Sequence, residues 1–209
     1  MSPETRPWRT FLLTCAIAAV AAAAQGPEQF RIDPAATHVT IRVGRSGIFG
    51  FAGHDHEVVA PAVRGEVILD RSDVSRSRVA LEFDAAALKV TGKGEPPDDV
   101  PEVQRVMLSD RVLDVARYPT ITFQSRSISV EGRSGDRMTL RLSGDLTLHG
   151  VTKSVTVPVD ARVGPDVVSG EGKTTVRQTA FGIRPVTAGG GSVKVKDEVE
   201  VIFSISARR

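Results

Sequence analysis

Cysteine, tryptophan and tyrosine each occur once in the 209 residues, and aromatic residues make up only 5% of them. Beyond Cys15 the chain has no means of making a disulfide, a thiolate metal site or a cysteine nucleophile, so its stability must come from burial alone. Scarce rings mean an interior built from Val, Leu, Ile and Ala. An excess of one charge is also missing: 27 Lys and Arg oppose 25 Asp and Glu, for a net charge of +2. These charges are scattered, so no basic stripe could hold a phosphate backbone by counterion release, which argues against nucleic acid as a partner. The one long apolar run, Phe11 to Ala23, is shorter than the ~20 residues that span a bilayer, which excludes a polytopic membrane protein. A hydrophobic content of 41% excludes a disordered chain.

The apolar run follows Arg6 and Arg9 and ends in Ala22-Ala23-Ala24 before Gln25. A charged start, an apolar stretch and small residues in that order read as a secretory signal peptide over residues 1–24, with an uncleaved anchor as the competing reading. Cys15 lies inside the run, so the exported chain carries no thiol, and its expected location is the periplasm. Residues 25–209 are expected to form a single domain, because no internal repeat, charge block or linker divides them.

Within that domain, alternation of period two dominates. Leu140, Leu142, Leu146 and Leu148 fall on one parity with Gly144 between them, and Arg141, Ser143, Asp145 and Thr147 on the other. After His149-Gly150 the pattern resumes at Val151, Val155, Val157, Val159, Ala161 and Val163. Two long strands joined by an X-Gly link predict an antiparallel hairpin. Shorter runs at Val39 to Val43, Val63 to Leu69, Val79 to Phe83, Ile121 to Phe123 and Val199 to Ile205 add strands, with Thr174 to Arg177 a weaker one. Between Pro101 and Pro119 the apolar residues Val103, Val106, Met107, Val112, Leu113 and Ala116 recur at three- and four-residue spacing, which predicts a short, broken helix. Strands with one dry face allow a two-sheet sandwich or a closed barrel, and a barrel of about eight strands can hold one small ligand.

Catalytic motifs are mostly absent. Gly44-Arg45-Ser46-Gly47 has the wrong spacing for a nucleophile elbow, and Gly172-Lys173-Thr174 imitates the end of a phosphate-binding loop, but Val167 stands where the leading glycine would have to be. Gly53-His54-Asp55-His56-Glu57 holds two of the four histidines, and histidines two apart on a strand could present two nitrogens to one metal ion. The plainer reading is a polar turn or strand end whose imidazoles meet neighbouring carboxylates, and it is preferred, so no metal ligand, catalytic residue or cofactor is assigned. His149 reads as a turn residue.

Leu108-Ser109 through Leu113 to Tyr118-Pro119-Thr120-Ile121-Thr122-Phe123-Gln124-Ser125, followed by Leu142-Ser143-Gly144-Asp145-Leu146-Thr147-Leu148-His149-Gly150-Val151-Thr152-Lys153, resembles the YceI-like family of periplasmic polyisoprenoid-binding proteins. Phe30-Arg31-Ile32-Asp33-Pro34 and Phe181-Gly182-Ile183 fit it too. The resemblance implies an all-β protein, an extended antiparallel lipocalin-like β-barrel with a short helix between strands and an apolar tunnel for an isoprenoid lipid or quinone. It implies a non-enzymatic binding or carrier role, with a metal-dependent function at His54 and His56 as the alternative. Transient membrane contact and a homodimer stay open. Expected tunnel-lining residues, chosen by parity and breadth, are Ile41, Val43, Phe49, Phe51, Val67, Leu81, Phe83, Phe123, Leu142, Leu146, Phe181 and Phe203. Departures from the family pattern are Arg45 for His, Arg111-Val112 for Asp-Phe, Gln178 for Arg, and the His54-Asp55-His56 segment; they bear on head-group recognition rather than on the fold.

Overall fold

The computed structural model of the protein describes residues 26–46, 55–61, 63–188 and 193–209; the expected signal peptide, Phe49, Phe51 and His54 lie outside them. The chain order is β1 (Glu28–Ile32), β2 (His38–Ser46), β3 (His56–Val59), β4 (Val63–Leu69), β5 (Arg78–Asp84), β6 (Lys89–Val90), α1 (Val100–Leu108), β7 (Thr120–Ser134), β8 (Arg137–Leu148), β9 (Val151–Val163), β10 (Val167–Arg177), β11 (Thr187–Ala188) and β12 (Val193–Arg208).

The strongest alternation becomes β8 and β9, which pair from Leu148↔Val151 to Arg137↔Arg162. Their turn needs left-handed backbone at both central residues, and His149 and Gly150 have φ of 51° and 71°, the requirement of a tight primed turn. At Gly150 a Cβ would also collide with the Tyr118 ring, at 2.3 Å.

All strand pairings are antiparallel, and β12 closes the sheet by pairing with β10 on one edge and with β1 and β2 on the other. Eleven of the twelve segments make eight barrel staves, because three staves are broken midway, and β11 only pairs with the start of β12. β1 and β2 are interrupted at Asp33-Pro34, where Pro34 lacks an N–H for the ladder and Asp33 Oδ1 accepts from the Ala35 N–H at 3.1 Å. β3 and β4 are interrupted at Ala60-Pro61. β5 and β6 are interrupted at Asp84, whose Oδ1 accepts from the Ala86 N–H at 2.9 Å and opens a 3-10 turn over Ala85–Ala87.

β6 pairs with β3, and its other edge is met by α1. Gln104 on α1 accepts from the Val90 N–H at 2.8 Å and donates to the Leu88 carbonyl at 2.9 Å, taking the place of a strand partner. The helix also turns Val103 and Met107 onto the core. The expected helix is thus found over Val100–Leu108, and Ser109 to Tyr118 continues as turns.

Candidate ligand-binding site

The inner faces of the staves surround a cavity of about 350 Å³, at the lower end of the 300–1,000 Å³ usual for small-molecule sites. Its wall is aliphatic and aromatic apart from Arg162, Ser169 and Thr174 and the side chains of Ser77 and Gln178. The last two are already engaged: Ser77 Oγ accepts from the Asp70 N–H at 3.0 Å, and Gln178 Nε2 donates to the Lys196 carbonyl at 2.8 Å. Such a wall offers burial and shape rather than directional chemistry.

Nine of the twelve expected lining residues face this cavity: Ile41, Val43, Val67, Leu81, Phe83, Phe123, Leu142, Leu146 and Phe203. Phe49 and Phe51 are outside the described residues. Phe181 is a correction, for it is 2% exposed and does not touch the cavity. A 3-10 turn over Gln178–Phe181 takes the chain off the end of β10, and the ring packs in a separate cluster with Val176, Ile183 and Val199. That turn is anchored by Asp197, which accepts from the Thr179 N–H at 2.8 Å and its hydroxyl at 2.7 Å. These bonds, with the Thr179 N–H foremost, hold the Asp197 carboxyl below its ordinary value.

Two phenyl rings that line the cavity lie against glycines of the neighbouring strands. A Cβ at Gly144 would come within 2.8 Å of the Phe123 ring, and one at Gly172 within 2.9 Å of the Phe203 ring. Gly170, next but one on the same face of β10, also lines the cavity. Without side chains at Gly144 and Gly172 the two rings have room beside the neighbouring strand.

The described histidines His38, His56 and His149 sit on different elements. His56 starts β3, opposite Val43, and its Nδ1 lies 3.0 Å from Glu95 Oε2 without hydrogen-bond alignment. The Glu95 side chain is 1% exposed, and neither of its oxygens has a hydrogen-bond partner. Glu57 points the other way and pairs with Arg42 and Lys93. His149 is a turn residue, with Nδ1 3.2 Å from the Phe181 carbonyl oxygen and its ring edge-on to Tyr118. Among the described residues, no group of three or more His, Cys, Asp or Glu is placed to hold a metal ion.

Comparison with known proteins places this geometry. The Burkholderia cenocepacia protein BcnA superposes with a TM-score of 0.65 at 20% identity, covering 84% of this chain and 99% of that one. A polyisoprenoid binding domain from Saccharophagus degradans gives 0.61 at 13% identity, covering 86% and 97%. These likenesses establish the fold, a closed eight-stranded antiparallel barrel. In sequence, a UPF0312 protein of Pseudomonas aeruginosa is 33% identical over 114 residues, which are 52% of this chain and 54% of that one. A UPF0312 protein of Vibrio campbellii is 28% identical over 116 residues, 55% of each; the chain spans about half the length of the curated relatives it matches. The YceI-like domain matches residues 30–207, nearly all of the barrel from β1 to the end of β12, and the chain belongs to the YceI-like family.

Proposed function

We propose that this protein is a non-enzymatic binding protein that sequesters one isoprenoid chain, a polyprenyl lipid or the tail of a quinone, and carries it through the periplasm. The observation that bears most weight is the continuous apolar cavity inside the closed barrel. Support comes from membership of the YceI-like family and from the Saccharophagus degradans neighbour described as a polyisoprenoid binding domain. At about 0.8 kcal/mol per buried carbon, one five-carbon unit contributes up to roughly 4 kcal/mol before chain entropy is lost. A few units suffice for tight binding. The periplasmic location rests on the signal peptide read from residues 1–24. The test is mass spectrometry of an organic extract of freshly purified protein, followed by adding isoprenoids back and measuring thermal stabilisation. Recovery of an isoprenoid and a raised midpoint are expected; an empty extract with no stabilisation by any isoprenoid overturns the reading.

A further inference from the structure

Among the described residues, two seams of the barrel wall lack a backbone ladder. β9 and β10 pair only from Val168↔Val163 to Glu171↔Asp160. Beyond that level the turn over Gln178–Phe181 folds onto β9, and the Phe181 ring, 2% exposed, packs with Val176 and Val151, so this seam is filled by buried side chains. The other seam begins at β6. β7 starts at Thr120, opposite Asp84, so the outer edge of Lys89–Val90 has no strand beside it, and α1 stands there instead.

The helix is a thin closure. None of its nine residues is buried, although Met107 lines the cavity and Val100 and Val103 pack onto the core. Its hydrogen bonds to the β6 stave come from one side chain, Gln104, whereas β5 and β7 are joined backbone to backbone from Ala80↔Gln124 to Asp84↔Thr120. The Asp99 side chain makes no capping bond at the helix start. An element with so little burial is among the first to open. The loop before it adds a burden. Glu95 is shut in with its side chain 1% exposed, and His56 Nδ1, 3.0 Å away, is not aligned to bond it. A carboxyl held from water without hydrogen bonds penalises the closed arrangement and is relieved when it is exposed. Where this loop leaves β6, Gly92 and Gly94 have φ of 73° and 78°, left-handed backbone that glycine adopts at no steric cost.

We propose that α1, with residues 91–99, is a lateral gate latched by Gln104, through which an isoprenoid chain enters and leaves the barrel. Lifting Val103 and Met107 off the core uncovers the cavity along its flank, so a long flexible chain is laid in from the side rather than threaded end first. This rests on the carrier reading and supplies its route.

The experiment follows, by stopped flow, the loading and release of geranylgeraniol carrying an anthraniloyl fluorophore in lipid-stripped protein. Gln104→Leu leaves the Val90 N–H and the Leu88 carbonyl unpaired when the gate is shut, so both rates should rise by about tenfold while Kd stays within about twofold. Glu95→Gln replaces the carboxyl by an amide able to donate to His56 Nδ1, and should slow both rates several-fold. Hydrogen exchange read by mass spectrometry tests the gate without cargo: the α1 amides of the parent should exchange at least roughly tenfold faster than those of β8, and faster again in Gln104→Leu. Loading and release equal to the parent's in both variants, a change in one rate alone, acceleration by Glu95→Gln, or an α1 as protected as β8 overturns the proposal. Failure of the parent to take up the labelled geranylgeraniol at all instead overturns the carrier reading on which the gate rests.

Discussion

Replacing Phe123 with aspartate tests the link between strand parity and cargo. Phe123 stands between Leu81 on β5 and Leu146 on β8, all three lining the cavity, with its ring over Gly144. The substitution first removes a large apolar surface, about 1.5–3 kcal/mol. It then places a carboxylate between two leucines, and the lining groups Ser77 and Gln178 are already committed elsewhere. When an apolar chain displaces water from the barrel, that carboxylate loses its solvation, at a further cost of roughly 1–3 kcal/mol. The sum, about 2.5–6 kcal/mol, corresponds to a loss of affinity of roughly 60-fold or more. Apolar surroundings raise a carboxyl pKa, so the defect should be largest at neutral pH and partly relieved in mild acid, where the group is protonated. The assay is displacement of a fluorescent isoprenoid analogue, with Gln124→Asp as control. Gln124 is exposed on the opposite face of β7, beside Asp145, so the control costs a little stability and leaves affinity within about twofold. If Phe123→Asp binds like the parent at pH 7, or Gln124→Asp loses as much, the assignment of inner and outer faces is refuted.

Three further outcomes are expected. The Glu28 carboxyl is held below its ordinary value chiefly by a hydrogen bond from Arg209, then Arg71, and Asp70 chiefly by one from Ser72; depressed carboxyls stabilise the fold above their ordinary values of 4.5 and 3.8, and that stability drains away as pH falls through the folded values. A series of melting midpoints against pH should show this acid limb, flattened in Asp70→Asn; an unchanged limb removes Asp70 from the explanation. Gly172→Val should lower stability by about 1–3 kcal/mol and shrink the cargo space, because its Cβ would sit 2.4 Å from the Pro158 carbonyl oxygen and push on the Phe203 ring; a melting curve and a binding isotherm equal to those of the parent would contradict the packing. Changing His54 and His56 together to alanine should leave the metal content unchanged by elemental analysis, and near-equimolar zinc, copper or iron lost on substitution would restore the metal reading.

Which parts of this architecture were legible in the sequence follows from where the alternation is clean. The hairpin β8–β9 was legible because its inner positions are nearly all Leu or Val and because His149-Gly150 states its turn. β10 was read only at Thr174 to Arg177, since its inner positions include Gly170, Gly172 and Thr174, and a strand that receives a neighbour's ring looks polar and weak. The far half of β7 was missed because bulges between Ser125 and Ser127 and between Val130 and Gly132 switch its parity, which carries the inward position from Phe123 to Ile128. β3 and β6, four and two residues long, are too short for a period and exist through non-local pairing. Phe181 was misjudged because breadth and parity suggested the tunnel, while the 3-10 turn after β10 directs the ring elsewhere. Gln104 carried no hydrophobic signal, yet it closes the edge of β6.

Hollowness itself is the strongest physical argument about use. Protein interiors are normally packed as densely as organic crystals, and unfilled volume costs about 24 cal/mol per Å³ where side chains have been removed. On that scale a cavity of about 350 Å³ forgoes at most roughly 8 kcal/mol of packing, comparable with the whole stability of a typical domain. Glycine stands at Gly144 and Gly172, where a Cβ would strike the Phe123 and Phe203 rings, and at Gly170 on the cavity wall itself. Two isoprene units at roughly 4 kcal/mol each return what the empty centre gives up. A barrel that forgoes packing by this amount is one whose folded state is completed by an apolar chain, so the stability of the empty protein and the affinity for its cargo are two sides of one balance.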